Sequence, residues 1–157
     1  MLKELVDKIE STKEFLEWKN NNSSSFLSNI FIQDEETQLS YYVPENDKIT
    51  TFFFKENQIR ILQDQEVLEP HPSIQPLLIE NVKISSEKAL EIAKEKIEEP
   101  ISKIFLIIQT LEDKPIYNLT FFTQTQKIIN TKIDAVSGEV ISNSSTKLSD
   151  FYRVEKN

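Results

Sequence analysis

A single glycine is the strongest constraint in this chain of 157 residues, because the left-handed backbone conformations of tight turns are open mainly to glycine. Gly138 lies in the stretch Lys132–Ser142, where apolar and polar residues alternate before it and an apolar pair follows it. This pattern predicts two β-strands joined by a tight turn, with Gly138 in the left-handed or bulge position. We expect Asp134 to accept hydrogen bonds from the backbone of the same turn, so both residues are predicted to be structural.

The overall charge and the residue types that are missing exclude several functions. The 26 acidic and 18 basic residues give a net charge of −8, which argues against a surface for nucleic acid or anionic membranes. There is no cysteine, so thiol chemistry and thiolate metal sites are excluded. One glycine cannot form a glycine-rich phosphate loop. We therefore expect no cofactor, no metal and no catalytic residue, and we interpret the only histidine, His71, as a loop residue.

The first half of the sequence predicts a helix followed by four short strands. An apolar stripe at helical spacing predicts one amphipathic helix of roughly four to five turns, ended by the run of Asn and Ser that begins at Asn20. Its stripe consists of Leu2, Leu5, Val6, Ile9 and Leu16, with Phe15 and Trp18 flanking it. The strands that follow are predicted at Phe26–Ile32, Gln38–Val43, Ile49–Phe54 and Gln58–Leu62, separated by turn-forming residues.

The second half repeats this order after a proline-rich connection at residues 69–81. Ser85 is the predicted N-cap of a second helix, whose buried stripe includes Ala89 and Ala93 and which Pro100 ends. Three strands and the hairpin of Gly138 follow; they are predicted at Lys103–Leu111, Ile116–Phe122 and Lys127–Ala135, with a return strand through Val140 and Ile141.

This layout predicts an α+β fold of two tandem units, each with an amphipathic helix packed on a small antiparallel β-sheet. The units are residues 1–68, a diverged first copy, and residues 82–157, which end in a short tail with Phe151 and Tyr152. The alternative is a single domain whose sheet is assembled from both halves.

The second half also resembles a known family. Ser85-x-Glu87-x-Ala89 opens its helix, Lys114-Pro115-Ile116-Tyr117 begins a strand, and Asp134-Ala135-x-x-Gly138-Glu139-Val140 forms its hairpin. Over about residues 82–142 this pattern is similar to the PepSY domain of peptidase propeptides and of many bacterial secreted or membrane proteins. The resemblance implies an antiparallel sheet packed on one helix, with peptidase inhibition or regulatory binding as its activity. Asp113 stands near the position where the family usually has a glycine before the middle strand.

Consecutive aromatic residues are the only candidates for a binding site. Phe52-Phe53-Phe54 must place rings on both faces of a strand, so either both faces of the sheet are covered or Phe53 is exposed as a contact. The pairs Tyr41-Tyr42 and Phe121-Phe122 likewise place one ring on each face of their strands, so one ring of each pair is either covered or exposed as a contact. The candidate binding residues are therefore Phe53, Tyr41, Tyr42, Phe121 and Phe122.

These features predict a non-catalytic protein-binding or regulatory module, with a peptidase inhibited in trans as one partner. The alternatives are a small-ligand carrier or enzyme with a pocket between helix and sheet, and a structural homo-oligomer such as a homodimer. No run of residues is long and apolar enough for a membrane span. Since the N-terminus does not have the pattern of a secretory signal, we expect a cytoplasmic protein, or an extracellular one if an export segment has been removed.

Overall fold

Eight antiparallel strands and three α-helices of nine residues each lie in the part of the chain that the computed structural model describes, residues 2–67 and 74–150, and residues 148–150 are also helical. The first half contributes α1 (Leu2–Glu10), α2 (Lys13–Asn21), β1 (Phe26–Gln33), β2 (Glu36–Val43), β3 (Lys48–Lys55) and β4 (Gln58–Glu66). A short 3-10 helix (Ile79–Asn81) precedes α3 (Ser86–Lys94), β5 (Ile101–Leu111), β6 (Lys114–Thr123), β7 (Lys127–Asp134) and β8 (Val140–Lys147). The predictions made for His71, Phe151 and Tyr152 fall outside the described residues.

All eight strands belong to one sheet, in the order β4-β3-β2-β1-β5-β6-β7-β8. Each half contributes four consecutive strands, and the halves meet where β1 pairs antiparallel with β5, with Ile30 opposite Ile108. The prediction of an α+β fold with an antiparallel sheet is confirmed, but the strands form one large sheet where two small ones were expected. The physical reason is that β1 and β5 would each present an unpaired edge, and pairing them satisfies both sets of backbone groups. Descent from two tandem units stays a prediction.

The N-terminal segment forms two helices where one continuous helix was predicted. Thr12 caps the second helix, since its hydroxyl accepts a hydrogen bond from the Phe15 N–H at 3.2 Å and donates one to the Ile9 carbonyl at 2.7 Å. The break turns α2 relative to the expected stripe, so that Phe15 and Trp18 are buried while Leu16 is 55% exposed. The placement of Leu16 on the buried stripe was therefore wrong.

The two N-terminal helices cover the first half of the sheet with an aromatic cluster. Phe15 and Trp18 of α2 pack on Tyr41 and Phe52, with ring centroids 5.1 to 5.6 Å apart between helix and sheet. Tilted and edge-on ring contacts of this kind stabilise a core beyond the area they bury. The Tyr41 hydroxyl satisfies its hydrogen bond by donating to Glu10 at 3.0 Å.

The third helix covers the second half of the sheet through small side chains. The Ser85 hydroxyl accepts a hydrogen bond from the Lys88 N–H at 3.1 Å, as expected of an N-cap. Ala89 and Ala93 are buried against the sheet, where α3 packs on β6 and β7. The helix ends at Lys94, one and a half turns or so before the predicted stop at Pro100.

The connection between the halves crosses the sheet at the junction of β1 and β5. The Leu77 N–H donates to the Leu27 carbonyl at 2.8 Å, and the Thr110 hydroxyl donates to the Pro76 carbonyl at 2.9 Å. Leu77 is buried in the same hydrophobic core as the helices. From residue 74 onwards the connection is therefore part of the fold.

Candidate protein-binding face

The two faces of the sheet differ because successive side chains of each strand point to opposite faces, and α1, α2 and α3 all pack on the same face. The side chains beneath the helices form the core, and the largest fully buried ones lie there, among them Phe52, Ile30, Leu39, Ile108, Tyr117, Leu119, Phe121 and Ile133. The pairing register places the intervening side chains on the opposite side, which we call the open face. The helices α1, α2 and α3 leave the open face uncovered.

Two of the five candidate binding residues lie on the helix-covered face. Tyr41 is 2% exposed and Phe121 is fully buried, so neither ring is available to a partner of the folded protein. In each pair the first residue points to the core and the second to the open face, because successive side chains of a strand alternate. The structure thereby removes Tyr41 and Phe121 from the candidates and leaves Tyr42, Phe53 and Phe122.

An aromatic row crosses the middle of the open face. The ring of Phe105 lies 5.5 Å from that of Phe31 and 5.2 Å from that of Phe122, measured between centroids. The three residues come from β1, β5 and β6 and thus join the two halves of the chain, and all three are only partly buried. We call Phe31, Phe105 and Phe122 the aromatic row. The sequence analysis did not identify Phe31 and Phe105 as candidate binding residues. Each is a single aromatic residue between aliphatic ones, which is a pattern typical of a buried strand.

Two further aromatic contacts flank the aromatic row. The Tyr42 ring packs 5.6 Å from that of Phe26, and its hydroxyl donates to Asp47 at 2.5 Å. That hydrogen bond raises the pKa of Tyr42. Near the β4 edge the guanidinium of Arg60 lies 4.5 Å from the ring centroid of Phe53. Arg60 thus covers part of the Phe53 ring through a cation–π contact.

Polar side chains between these rings are held by hydrogen bonds of their own. The Ser40 and Thr51 hydroxyls are 3.1 Å apart, and the Thr51 hydroxyl donates to Gln65 at 2.8 Å. On the other side of the aromatic row the Asn130 amide donates to Asn118 at 2.6 Å. The open face is therefore an ordered mixture of rings and hydrogen-bonded polar groups, and its aromatic rings are the residue type that is enriched at the centre of protein interfaces.

The turn at Gly138 is a folding element at the far side of the sheet. Asp134 accepts hydrogen bonds from the Val136 N–H at 2.8 Å and the Ser137 N–H at 3.1 Å, and these bonds lower its pKa. Gly138 has φ +82° and lies under Ile84, the residue that precedes the N-cap of α3. The two residues thus connect the hairpin to the start of the helix.

A cleft on the helix side of the sheet has a volume of about 380 Å³. It opens between the C-terminal half of α3 and the ends of β1 and β5. Leu90, Ile104 and Leu106 supply apolar surface, and Lys94 and Asp34 supply charge. Within residues 2–67 and 74–150 no group of three or more His, Cys, Asp or Glu side chains is placed to hold a metal ion.

Buried tyrosines account for the remaining perturbed groups beneath the helices. Burial raises the pKa of Tyr117, whose hydroxyl donates to the Ile84 carbonyl at 2.5 Å. Burial also raises the pKa of Tyr41, with a further contribution from Glu10. At the surface, the hydrogen bond from Lys127 lowers the pKa of Glu99. Burial therefore accounts for most of the shift of the two tyrosines, and the hydrogen bond from Lys127 accounts for most of that of Glu99.

Comparison with known proteins agrees with the fold and with the resemblance found in the sequence. Residues 83–143 match the family model PepSY, the peptidase propeptide and YPEB domain, in agreement with the resemblance predicted for about residues 82–142. No curated protein matches the chain. A solved structure described as a "putative lipoprotein" from Clostridium difficile 630 superposes with a TM-score of 0.63 at 9% identity, covering 85% of this chain and 90% of that one. At this identity the likeness concerns the fold alone.

None of the helices in the described part of the chain is long and apolar enough to cross a membrane.

Proposed function

We propose that this chain is a non-catalytic regulatory module that binds a protein through the open face of its sheet, and that the partner is a peptidase inhibited in trans. The observation that carries the proposal is the aromatic row, three partly exposed rings in tilted and edge-on contact on a face that α1, α2 and α3 leave uncovered. Burying a fully exposed Phe side chain contributes about 1.5–3 kcal/mol, and burying the exposed part of each of these rings contributes a share of that. Clustered aromatic residues are the usual centre of a protein interface.

The peptidase is proposed because of the family of the second half. The PepSY family takes its name in part from peptidase propeptides, which supports a peptidase as the class of partner. Two of the three rings of the aromatic row, Phe105 and Phe122, lie within the matched segment. Of the two locations expected from the sequence we propose the extracellular one, because the structural neighbour is described as a "putative lipoprotein".

The test is a titration of the protein against a panel of purified metallo- and serine peptidases, with cleavage of a small fluorogenic substrate as the readout. We expect at least one peptidase to be inhibited in a saturable manner, with the module intact afterwards by mass spectrometry. If no peptidase is inhibited and none forms a complex in the same panel, the proposal of a peptidase partner is wrong.

The cleft beside α3 supports a second candidate function, that of a small-ligand carrier. Its volume of about 380 Å³ lies in the range of small-molecule sites, and its apolar surface is accompanied by a few charged groups. The experiment is native mass spectrometry of the purified protein, compared with Leu90→Trp, which fills the cleft, and with Leu16→Trp at an exposed position. A ligand that is lost only in Leu90→Trp supports this function, and a ligand-free wild-type protein counts against it.

A further inference from the structure

The two outer edges of the sheet are protected to very different degrees. On one side β4 carries Arg60, Asp64 and Glu66, and its pairing with β3 is interrupted by a bulge at Asp64, where φ is +55°. Charged residues and bulges are the usual means by which proteins keep a free edge from pairing with another strand. The β4 edge is therefore blocked.

The edge formed by β8 has none of these protections along most of its length. Ser142–Thr146 is a run of five uncharged and exposed residues that pair without interruption with β7. A bulge lies before this run, beside Ile133. Among the described residues no strand pairs with the outer side of β8. Its outward N–H and C=O groups thus form a regular, uncharged template for one more strand.

We infer that β8 pairs antiparallel with β8 of a second copy of this chain, so that two sheets join edge to edge. In an isologous antiparallel pair the residue on the two-fold axis faces its own copy. The centre of the unbulged run is Ser144. With Ser144 on the axis, Ser142 faces Thr146 and Asn143 faces Ser145, so that only small uncharged side chains meet across the junction.

Charge and access both favour a second copy at this edge. The chain has a net charge of −8, but its last described part, residues 127–150, contains three lysines and three carboxylates and is neutral. Self-association at β8 therefore avoids the repulsion that the acidic surface imposes elsewhere. The main contacts of α3 with the sheet are to β6 and β7, and the side chains of Ser142–Thr146 in β8 are exposed.

This pairing would have a direct consequence for the open face. A two-fold axis perpendicular to the sheet keeps both helix layers on one side and both open faces on the other. The dimer would then present two aromatic rows on one continuous sheet of twice eight strands. A junction made of one strand pair buries little area, so we expect a reversible dimer with a dissociation constant in the micromolar to millimolar range.

Sedimentation equilibrium of the full chain over a wide range of concentrations tests the inference. We expect a monomer–dimer equilibrium that Ser144→Lys weakens at least tenfold, because two lysines would face each other on the axis. The matched control is Gln63→Lys, which adds the same charge to the exposed β4 edge. A wild-type chain that stays monomeric throughout overturns the inference, and so does a dimer that Gln63→Lys weakens as much as Ser144→Lys does.

A cysteine scan gives the register independently, because the chain has no cysteine of its own. We expect Ser144→Cys to form a disulfide-linked dimer under mild oxidation much faster than Ser142→Cys or Gln63→Cys. Equal rates for all three variants would contradict the pairing. Both experiments use the protein alone, so their outcome does not depend on whether a peptidase is bound.

Discussion

At the scale of single residues, Gly138 is held by two constraints that act together. Its φ of +82° is a conformation that residues with a Cβ rarely adopt. In addition, a Cβ at this position would lie 2.6 Å from the Ile84 Cδ1 atom. The glycine is therefore required by the turn and by the contact between the hairpin and the start of α3.

We expect Gly138→Ala to lower the free energy of unfolding by about 1–3 kcal/mol, mostly through backbone strain. Urea denaturation measures this, with Val136→Ala in the same turn as the control, since Val136 is 50% exposed and has no such constraint. The Ile84 methyl group can move aside, so Ile84→Val should be less costly in the Gly138→Ala background than in the wild-type. A Gly138→Ala protein as stable as Val136→Ala would contradict this explanation.

Asp134 makes the same turn sensitive to pH. Its pKa is lowered in the folded chain because two backbone N–H groups donate to the carboxylate, so the folded state holds the charged form more strongly than the unfolded state does. The stabilisation is present above the unfolded pKa of about 4 and is lost as the pH falls through the lower folded pKa.

The variant Asp134→Asn keeps an acceptor oxygen but cannot titrate. Unfolding measured from pH 6 down to about pH 2 should therefore show a smaller loss of stability for Asp134→Asn than for the wild-type. Parallel curves for the two proteins over this range would mean that Asp134 contributes nothing to the acid sensitivity.

At the scale of elements, the strands were predictable from the sequence and the helix break was not recognised. Runs rich in β-branched and aromatic residues, separated by turn-forming residues, indicated the positions of all eight strands. Several strands extend beyond their predicted ends, and the prediction for β7 ran one residue too far, to Ala135. The apolar stripe from Leu2 to Leu16 favoured one continuous helix, because the spacing of apolar residues gives no information about an N-cap within the stripe. The pair Ser11-Thr12 in the middle of that stripe was the available signal, since these residues favour the position just before a helix.

The cap at Thr12 should be measurable. We expect Thr12→Ala to destabilise the protein by about 1 kcal/mol, because the Phe15 N–H loses its acceptor, while Thr12→Ser should retain most of the stability. Thermal and urea unfolding of both variants provide the comparison. If Thr12→Ala is neutral, the break between α1 and α2 is maintained by packing alone.

The aromatic residues exposed on the open face could be predicted only in part from the sequence. Consecutive aromatic residues indicated correctly that rings lie on both faces of the sheet. Which ring of each pair is exposed depends on the face that the helices cover, and this is decided by the packing of Ala89, Phe15 and their neighbours across the whole sheet. The same information is needed to find Phe31 and Phe105, whose strands lie apart in the sequence and adjacent in the sheet.

At the scale of the whole molecule, the junction of β1 and β5 should make the two halves unfold together. The only tryptophan, Trp18, reports on the first half, and Ile133 is fully buried in the second. We expect Ile133→Ala to cost about 2–5 kcal/mol and to lower the urea midpoint seen by Trp18 fluorescence and by circular dichroism equally. An unchanged Trp18 transition would show that the halves are independent units.

The central claim is that the open face binds the partner, and one comparison tests it most directly. The inhibition constant for a peptidase identified in the panel is measured for Phe105→Ser/Phe122→Ser and for Leu16→Ser, which changes an exposed apolar residue on the helix side. Circular dichroism establishes that both variants are folded. We predict at least a tenfold weaker inhibition, a loss of about 1.4 kcal/mol or more, for the open-face variant and no change for Leu16→Ser. Equal inhibition by both variants would contradict the account.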